Sequence, residues 1–336
     1  MSYYKKRTLK FSDSYVCDGY TVAGPKENDG FYHGMFDIAL EDDMFGQQTF
    51  ERAERKMFEH AMDGAIAKCN LVSRDVDFVV GGDLLNQIVS ASFSARKQHA
   101  GFVGLYNACA TFVESLIVGS SLLNSGADNV LCVAGSHFST AERQYRYPLE
   151  LGVLRSPVTQ WTVTGVGATI LTNKCDGASP VVKITAATLG RVVDYGVMDA
   201  NNMGAAMAPS ACDTLATFFR DTDTTPSDYD AIYTGDLGKL GSSILVDLLD
   251  EQGYDVSHNL NDCGASLFFD EQQTYQGGSG AECTALVFNA YLLPMLRGGS
   301  FKRILFAGTG ALMSPTTSFQ GDSIPAITHL VEVCAQ

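Results

Sequence analysis

The sequence predicts an α/β protein made of two duplicated halves, and three observations lead to this prediction. A short apolar run ending in Gly-Asp occurs twice, and a long apolar segment that encloses a glycine turn also occurs twice. The composition agrees, because 33 glycines and only 18% charged residues in a chain of 336 indicate tightly packed, mostly buried elements. A chain of this length has room for two domains or for one double-sized unit.

The first repeated pattern is a short strand followed by a helix. Residues 77–83 read DFVVGGD and residues 230–236 read DAIYTGD, each typical of a buried strand. The segments that follow, 85–97 and 241–253, have helical character. Strand–helix–strand order in both halves predicts two α/β halves with mostly parallel sheets.

The second repeated pattern is longer. Residues 107–135 and 280–308 each read as a buried helix, a glycine turn and a buried strand that ends in glycine. The final glycines, Gly135 and Gly308, are 173 residues apart. A helix that is apolar on nearly all sides belongs in the core of a large protein.

These repeats place the boundary between the halves near residues 175–180, where NKCDGASP is typical of a linker. We therefore predict an N-terminal half of residues 1–176 and a C-terminal half of residues 177–336. The glycine-punctuated strand expected within residues 161–173 closes the first half.

The two halves differ in length between their repeats. Asp83 and Asp236 are 153 residues apart, 20 fewer than the glycines above, so the second half carries 20 extra residues between its two repeats. We expect this insertion within residues 253–280. The first 50 residues look irregular and show no clear period.

Charge and composition exclude several classes of protein. A formal net charge of -15 argues against nucleic acid or an anionic membrane as a direct electrostatic partner. No apolar run reaches the roughly 18 residues of a membrane-spanning helix, and the basic N-terminus lacks the apolar region of a secretory signal. Nine scattered cysteines without a CxxC pair indicate free thiols. We expect a cytoplasmic protein, or one peripheral to a membrane.

Cys109 is the best-placed candidate for chemistry. It lies in LYNACATFVES, where a short strand over residues 101–106 meets the buried helix. The positive end of the helix dipole favours a thiolate at such a position, which suggests a nucleophile or a ligand-site thiol. The alternative is a small buried apolar side chain, as most free cysteines are.

A second candidate is the segment 136–148, SHFSTAERQYRYP, which follows a predicted strand at the sheet edge where α/β proteins place their sites. His137, Arg143 and Arg146 alternate there with aromatic residues. Two arginines with interleaved aromatics suit a planar carboxylate ligand. The alternative is a solvated or dimer-contact loop.

Acidic residues follow the predicted strands in both halves. Asp83 and Asn86 lie in GDLLNQ, and Asp236 is the counterpart of Asp83. These carboxylates suit a bound cation or hydrogen-bond donors, but capping of the following helix is a competing interpretation.

The glycine-rich stretches GGSG (277–280) and AGTGAL (307–312) bring backbone close to a ligand, but neither is a nucleotide-binding GxxxxGK[ST] loop. No HExxH, GxSxG or metal-spaced histidine cluster is present in the sequence.

Together these features resemble the thiolase superfamily and, within it, the stage V sporulation protein AD family of spore-forming Firmicutes. The motifs that carry the resemblance run through most of the chain: AGPKE (23–27), AERK (53–56), GDLLNQ (82–87), TAERQYRYP (140–148), TVTGVGA (162–168), GRVVDYG (190–196), MGAAMAP (203–209), NDCG (261–264), GGSG (277–280) and TGALMSPT (309–316).

The resemblance implies a five-layer α-β-α-β-α thiolase-like fold and a homodimer. It also implies a role in binding dipicolinic acid, free or as its calcium chelate, during uptake into the developing spore. The implied partners are membrane proteins of the same sporulation operon, and no cofactor is implied beyond calcium bound with the ligand.

Condensing enzymes of the superfamily use a Cys, a His and an Asn, and only the Cys is matched, by Cys109. The His position falls on Gly235 or Asp236, and the Asn position falls on Gly278. Without these donors, condensation lacks its oxyanion and proton-transfer groups, so we expect no enzymatic activity. An acyl-transferring or condensing enzyme that uses Cys109 is the alternative.

The expected ligand-binding residues combine the candidates above: Cys109, His137, Arg143, Arg146, Asp83, Asn86, Asp236 and Gly278. A bound calcium ion, if present, is expected near Asp83, Asp236 or Asp262.

Overall fold

The computed structural model describes residues 2–145, 155–174 and 180–336 of the chain. Its strands, in chain order, are β1 (Ser2–Lys5), β2 (Thr8–Lys10), β3 (Tyr15–Ala23), β4 (Ile38–Ala39), β5 (Phe78–Gly82), β6 (Gly101–Gly104), β7 (Asn129–Ser136), β8 (Trp161–Thr162), β9 (Gly165–Thr172), β10 (Val182–Thr188), β11 (Ala231–Thr234), β12 (Leu260–Asp262), β13 (Gly278–Ser279), β14 (Arg303–Ala311) and β15 (Ala326–Ala335).

The helices, in chain order, are α1 (Pro25–Asn28), α2 (Phe50–Lys68), α3 (Val89–Ala95), α4 (Thr111–Leu123), α5 (Phe138–Tyr145), α6 (Met203–Thr222), α7 (Gly238–Asp250), α8 (Cys263–Leu267), α9 (Ala281–Val287), α10 (Leu293–Arg297) and α11 (Pro315–Gln320). A 3₁₀ turn, Ala108–Ala110, precedes α4, and a π turn, Phe288–Leu292, joins α9 to α10.

The duplication predicted from the repeats is present in the sheet. Half of the strand order is β6-β5-β7-β9-β3, and the other half is β12-β11-β14-β15-β10. The two sets meet at a single residue pair between β3 and β10, Tyr15 and Lys183. The two halves of the chain therefore build the same five-strand sheet twice.

The prediction of mostly parallel sheets is wrong in detail. Strands β5, β6 and β7 are parallel, as are β11, β12 and β14, but β9, β3, β15 and β10 join antiparallel. A strand that is buried on both faces has the same apolar run whether it is parallel or antiparallel to its neighbour. The sequence pattern therefore could not distinguish parallel from antiparallel pairing.

Helices divide the structure into five layers. Helices α4 and α9 lie between the two sheets and contact strands of both. Helices α2 and α3 cover the outer face of the first sheet, and α6 and α7 cover the outer face of the second. The side chains of α4 are buried on most sides, as the apolar pattern predicts, because both flanking layers are sheets.

The first 50 residues contain a central strand that the sequence pattern did not reveal. Strand β3 pairs with β9 along its length, with a bulge between Val16 and Asp18. Asp18 and Gly19 interrupt its apolar run, which is why no period was visible. Strand β2, also from this region, pairs with β10 of the second half.

The insertion predicted within residues 253–280 is confirmed. Strand β12 takes the edge position that β6 takes in the first half, and the extra residues after it form α8 and β13. Strand β13 pairs with β8 of the first half, so the insertion joins the halves. The predicted boundary at residues 175–180 lies almost entirely outside the described residues.

Candidate functional site

Cys109 lies at the head of the central helix, in the 3₁₀ turn before α4. The backbone of Ala108 takes a left-handed conformation, with φ 49°, which turns the chain into the helix. Strand β14 supports the turn closely, since a Cβ added at Gly310 would lie 2.6 Å from the Asn107 carbonyl oxygen. Cys109 is therefore held between the two sheets.

A cavity of about 260 Å³ opens beside Cys109. Most of its lining is apolar, and both halves of the chain contribute to it. The lining residues are Leu84, Tyr106, Ala108, Cys109, Ala141, Tyr145, Thr162, Met203, Ser279, Ala311, Leu312, Met313 and Ser314.

The Cys109 thiol lies beside the carboxylate of Asp236 and lowers its pKa as a hydrogen-bond donor. The Thr309 hydroxyl donates to Oδ1 at 2.8 Å, and the Gly280 amide donates to Oδ2 at 2.9 Å. Burial raises the pKa of Asp236 to about 6, and these three hydrogen bonds oppose the rise. Between the two positions left open by the sequence, the structure therefore brings Asp236, rather than Gly235, to the thiol.

Gly278, at the position where the resemblance implies the asparagine of condensing enzymes, leaves little space for a larger side chain. A Cβ at this position would lie 2.8 Å from Cγ2 of Val163. The Gln160 amide group donates to the Gly278 carbonyl at 3.1 Å and to the Asp236 carbonyl at 2.5 Å. These contacts fix the backbone next to the thiol without supplying a side-chain donor to the cavity.

His137 does not line this cavity. It is fully buried, and its Nε2 contacts the Asp43 carbonyl oxygen at 2.7 Å while Nδ1 accepts from the Ser139 amide at 3.1 Å. Burial lowers the pKa of His137, which favours a neutral ring with the proton on Nε2. With both nitrogens engaged, the ring anchors the 40–45 loop instead of facing a ligand.

Arg143 is not among the residues that line the Cys109 cavity. Its guanidinium pairs with Glu51 of α2 on a separate shallow surface that also includes Asn86. The side-chain oxygen of Asn86 lies 3.5 Å from the hydroxyl of Tyr106, which lines the Cys109 cavity. Arg146 lies outside the described residues.

Asp83 caps the start of the helical segment that follows it. Oδ1 accepts from the Leu85 amide at 2.8 Å and Oδ2 accepts from the Ala91 amide at 2.7 Å. Burial raises its pKa to about 6. The structure thus favours the capping interpretation for Asp83.

Asp262 has a similar anchoring role. Its oxygens accept hydrogen bonds from the Thr234 hydroxyl and from three backbone amides, those of Leu237, Gly238 and Ala265. Within residues 2–145, 155–174 and 180–336, no group of three or more His, Cys, Asp or Glu side chains is arranged to hold a metal ion. A calcium ion bound together with the ligand stays a prediction.

Two tyrosines line the cavity: Tyr145, one of the aromatic residues of the predicted segment 136–148, and Tyr106, which the sequence pattern did not single out. The Tyr145 hydroxyl donates to the Leu84 carbonyl at 2.6 Å, and the Tyr106 and Tyr145 hydroxyls are hydrogen-bonded to each other. Tyr145 belongs to the TAERQYRYP motif, and residues 311–314 belong to TGALMSPT, so these motifs were the available signal.

The duplicated sheets and the cysteine at the head of a central helix define a thiolase-like protein, and solved structures show the same fold. A variant of OleA from Xanthomonas campestris matches with a TM-score of 0.63 and 12% identity, covering 97% of this chain and 99% of that one. Human mitochondrial 3-ketoacyl-CoA thiolase in complex with CoA matches with a TM-score of 0.59 and 14% identity, covering 99% and 100%.

Sequence comparison then gives the family. The family model for stage V sporulation protein AD matches residues 5–334. Stage V sporulation protein AD of Bacillus subtilis (strain 168) is 41% identical over 310 residues, which cover 92% of this chain and 90% of that protein. This chain belongs to the stage V sporulation protein AD family, so it is a sporulation protein with a thiolase-like fold.

In the described part of the chain, no helix is both long and apolar enough to cross a bilayer.

Proposed function

We propose that the Cys109 cavity binds dipicolinic acid, free or as its calcium chelate, without catalysing a reaction on it, during uptake into the developing spore. The family membership supports the role in sporulation. The identity of the ligand is implied by the resemblance to the stage V sporulation protein AD family.

The hydrogen bond between Cys109 and Asp236 carries the non-catalytic part of the proposal. A condensing cysteine has to become a thiolate, and a neighbouring carboxylate disfavours a second negative charge. The described cavity lining contains no histidine to move a proton, and Gly278 supplies no side-chain donor for an oxyanion. These features support ligand binding without catalysis in the Cys109 cavity.

The lining of the cavity supports a flat aromatic ligand. Tyr106 and Tyr145 offer aromatic rings, while Met203, Ala311 and Leu312 give apolar contact. Among the described lining residues none is basic. The calcium chelate suits such a lining, because the metal offsets the charge of the two carboxylates.

Calorimetric titration with dipicolinate, with and without calcium, tests the ligand. We expect binding to the wild-type protein and a loss of at least about 10-fold in affinity in Ala141→Leu, which fills part of the cavity. Arg52→Gln, an exposed change on α2, is the matched control and should bind as the wild type does. If the wild-type protein releases no heat of binding at millimolar dipicolinate, either with or without calcium, the proposal is wrong.

An acyl-transferring enzyme that uses Cys109 is the second candidate. One observation favours it: the thiol reaches a cavity at the head of the central helix. Such an enzyme forms a covalent acyl adduct on Cys109, whereas the binding function requires none.

We also propose a homodimer that forms through strand β6. The amides of Gly101 and Leu105 point to β5, so those of Phe102 and Gly104 point to the open edge. Phe93, Phe102 and Tyr106 are exposed beside this edge and would be covered by a second copy. Sedimentation of Phe102→Asp, expected to be monomeric, tests this interface; a dimer of unchanged stability would contradict it.

Membrane proteins of the same sporulation operon are the other partners we propose, which would place the protein at the inner membrane of the spore as a peripheral component. Their contact surface is not assigned to particular residues. Co-purification from sporulating cells, with the dimer-interface variant as a comparison, tests this association.

A further inference from the structure

A second cavity, of about 280 Å³, lies on the outer side of the second half. One wall is a face of α6, and the others come from the turn between β1 and β2, the segment after β10 and the end of α7. Unlike the Cys109 cavity, it is lined by guanidinium groups: those of Arg7, Arg191 and Arg220.

A single carboxylate holds two of these arginines in place. Asp213 accepts from Arg7 at 2.8 Å through Oδ2 and from Nε of Arg191 at 2.9 Å through Oδ1. The Thr217 hydroxyl oxygen accepts from Arg7 at 2.8 Å and from Arg220 at 3.0 Å. Groups from three separate parts of the chain therefore converge on one face of α6.

The charge of the lining is positive in a strongly acidic protein. Three guanidinium groups face one lining carboxylate, in a chain whose formal net charge is -15. Two further carboxylates lie close to lining residues: Oδ1 of Asp221 is 3.9 Å from Nε of Arg220, and Glu251 lies near Cys212. Local basic charge of this kind attracts a small anion, even though the net charge of the chain is negative.

Donors remain for a ligand after the internal contacts are made. Arg191 uses Nε for Asp213, and within the described residues its two terminal nitrogens have no hydrogen-bond partner. The Arg191 side chain is 60% exposed, so these groups are reachable from solvent. The largely exposed Tyr195 also lines the cavity and offers an aromatic face.

We propose that this cavity is a binding site for a small oxyanion, a carboxylate or a phosphate, separate from the Cys109 cavity. Arg191 and Arg220 contact the anion, while Asp213 positions Arg191 and the Thr217 hydroxyl positions Arg220. Guanidinium groups bind both classes of oxyanion through paired N–H donors. An aromatic carboxylate gains an additional stacking contact with Tyr195.

The test is calorimetric titration of the full chain at low ionic strength with sodium phosphate and, separately, sodium benzoate. We expect the wild type to bind at least one of these probes. The double variant Arg191→Gln/Arg220→Gln should bind at least about 10-fold more weakly, since two charge-assisted contacts are lost. Arg52→Gln, in the basic surface groove of α2, is the matched control and should not change the affinity.

Two results would overturn this site: no binding of either probe at millimolar concentration, or equal affinity in the wild type and the double variant. The outcome is independent of the proposed function, because Ala141→Leu changes only the Cys109 cavity. Anion binding that survives in Ala141→Leu supports a separate site, whether or not dipicolinate binds beside Cys109.

Discussion

The two halves of the protein use the same acidic position differently. Asp83 and Asp236 both follow the corresponding strand, β5 or β11, of their sheets. Asp83 accepts hydrogen bonds from backbone amides of its own half. Asp236 instead joins Thr309, Gly280 and the Cys109 thiol, and so ties the two halves together at the cavity.

The heads of the two central helices differ in the same way. Cys109 and Glu282 are 173 residues apart and occupy equivalent positions of the repeat. Cys109 reaches a cavity, whereas Glu282 is fully buried, and within the described residues neither of its oxygens has a donor at bonding geometry. Burial raises the pKa of Glu282 well above its usual range. The two halves share a backbone, but the side chain at this position reaches a cavity in the first half and is buried in the second.

The largest expected effect is that of Asp236→Ala on stability. The substitution removes the acceptor of three buried donors, so we expect the free energy of unfolding to fall by about 4 kcal/mol. Denaturant unfolding followed by circular dichroism measures it. A loss below about 1 kcal/mol would show that Asp236 does not hold the halves together.

A second prediction concerns pH and the buried Glu27. Burial raises its pKa from 4.5 to about 8, so the native state holds this proton more tightly than the unfolded chain does. The free energy of unfolding should therefore fall as the pH rises from about 5 to about 8, by on the order of 3 kcal/mol from this residue.

Unfolding of wild type and Glu27→Gln at both ends of this range measures the contribution of Glu27. The variant should lose less stability with rising pH, and the exposed Glu41→Gln should behave as the wild type does. If the free energy of unfolding falls equally with pH in all three proteins, Glu27 does not contribute to the pH dependence.

Asp83→Ala should be milder than Asp236→Ala, because only two backbone amides of one helical segment lose their acceptor. We expect a cost of about 2 kcal/mol in the free energy of unfolding and no change in affinity for a ligand of the Cys109 cavity. The same denaturant series with a binding titration checks both. If the folded variant binds the ligand more weakly, Asp83 belongs to the ligand-binding site.

The smallest expected effect is that of Asp236→Asn on the reactivity of the Cys109 thiol. Asp236→Asn keeps the shape and removes the charge, so the Cys109 thiolate should form more readily. We expect alkylation of Cys109 by iodoacetamide near pH 8 to be faster by on the order of 10-fold. Peptide mass spectrometry gives the rate at this cysteine, with the buried Cys132 as an unreactive internal control. A slower rate would contradict the role assigned to the carboxylate.

The sequence predicted the duplicated architecture well because burial between two sheets imposes long apolar runs. It failed for β3, where Asp18 and Gly19 break the run at a bulge. Within the site, the family motif led to Cys109 and to Asp236 or Gly235. His137 could not be judged from its position after β7, because its ring direction depends on the Asp43 carbonyl, which lies far away in sequence.

Intact mass spectrometry of the protein after incubation with an acyl-CoA tests whether Cys109 takes part in acyl transfer. Iodoacetamide labelling of Cys109 in the same preparation shows that the thiol is reachable. We expect an alkylated Cys109 but no acyl adduct, because the described residues of the cavity lining include no histidine and Gly278 has no side chain to donate to an oxyanion. An acyl adduct on Cys109 that turns over would contradict it and restore the condensing enzyme.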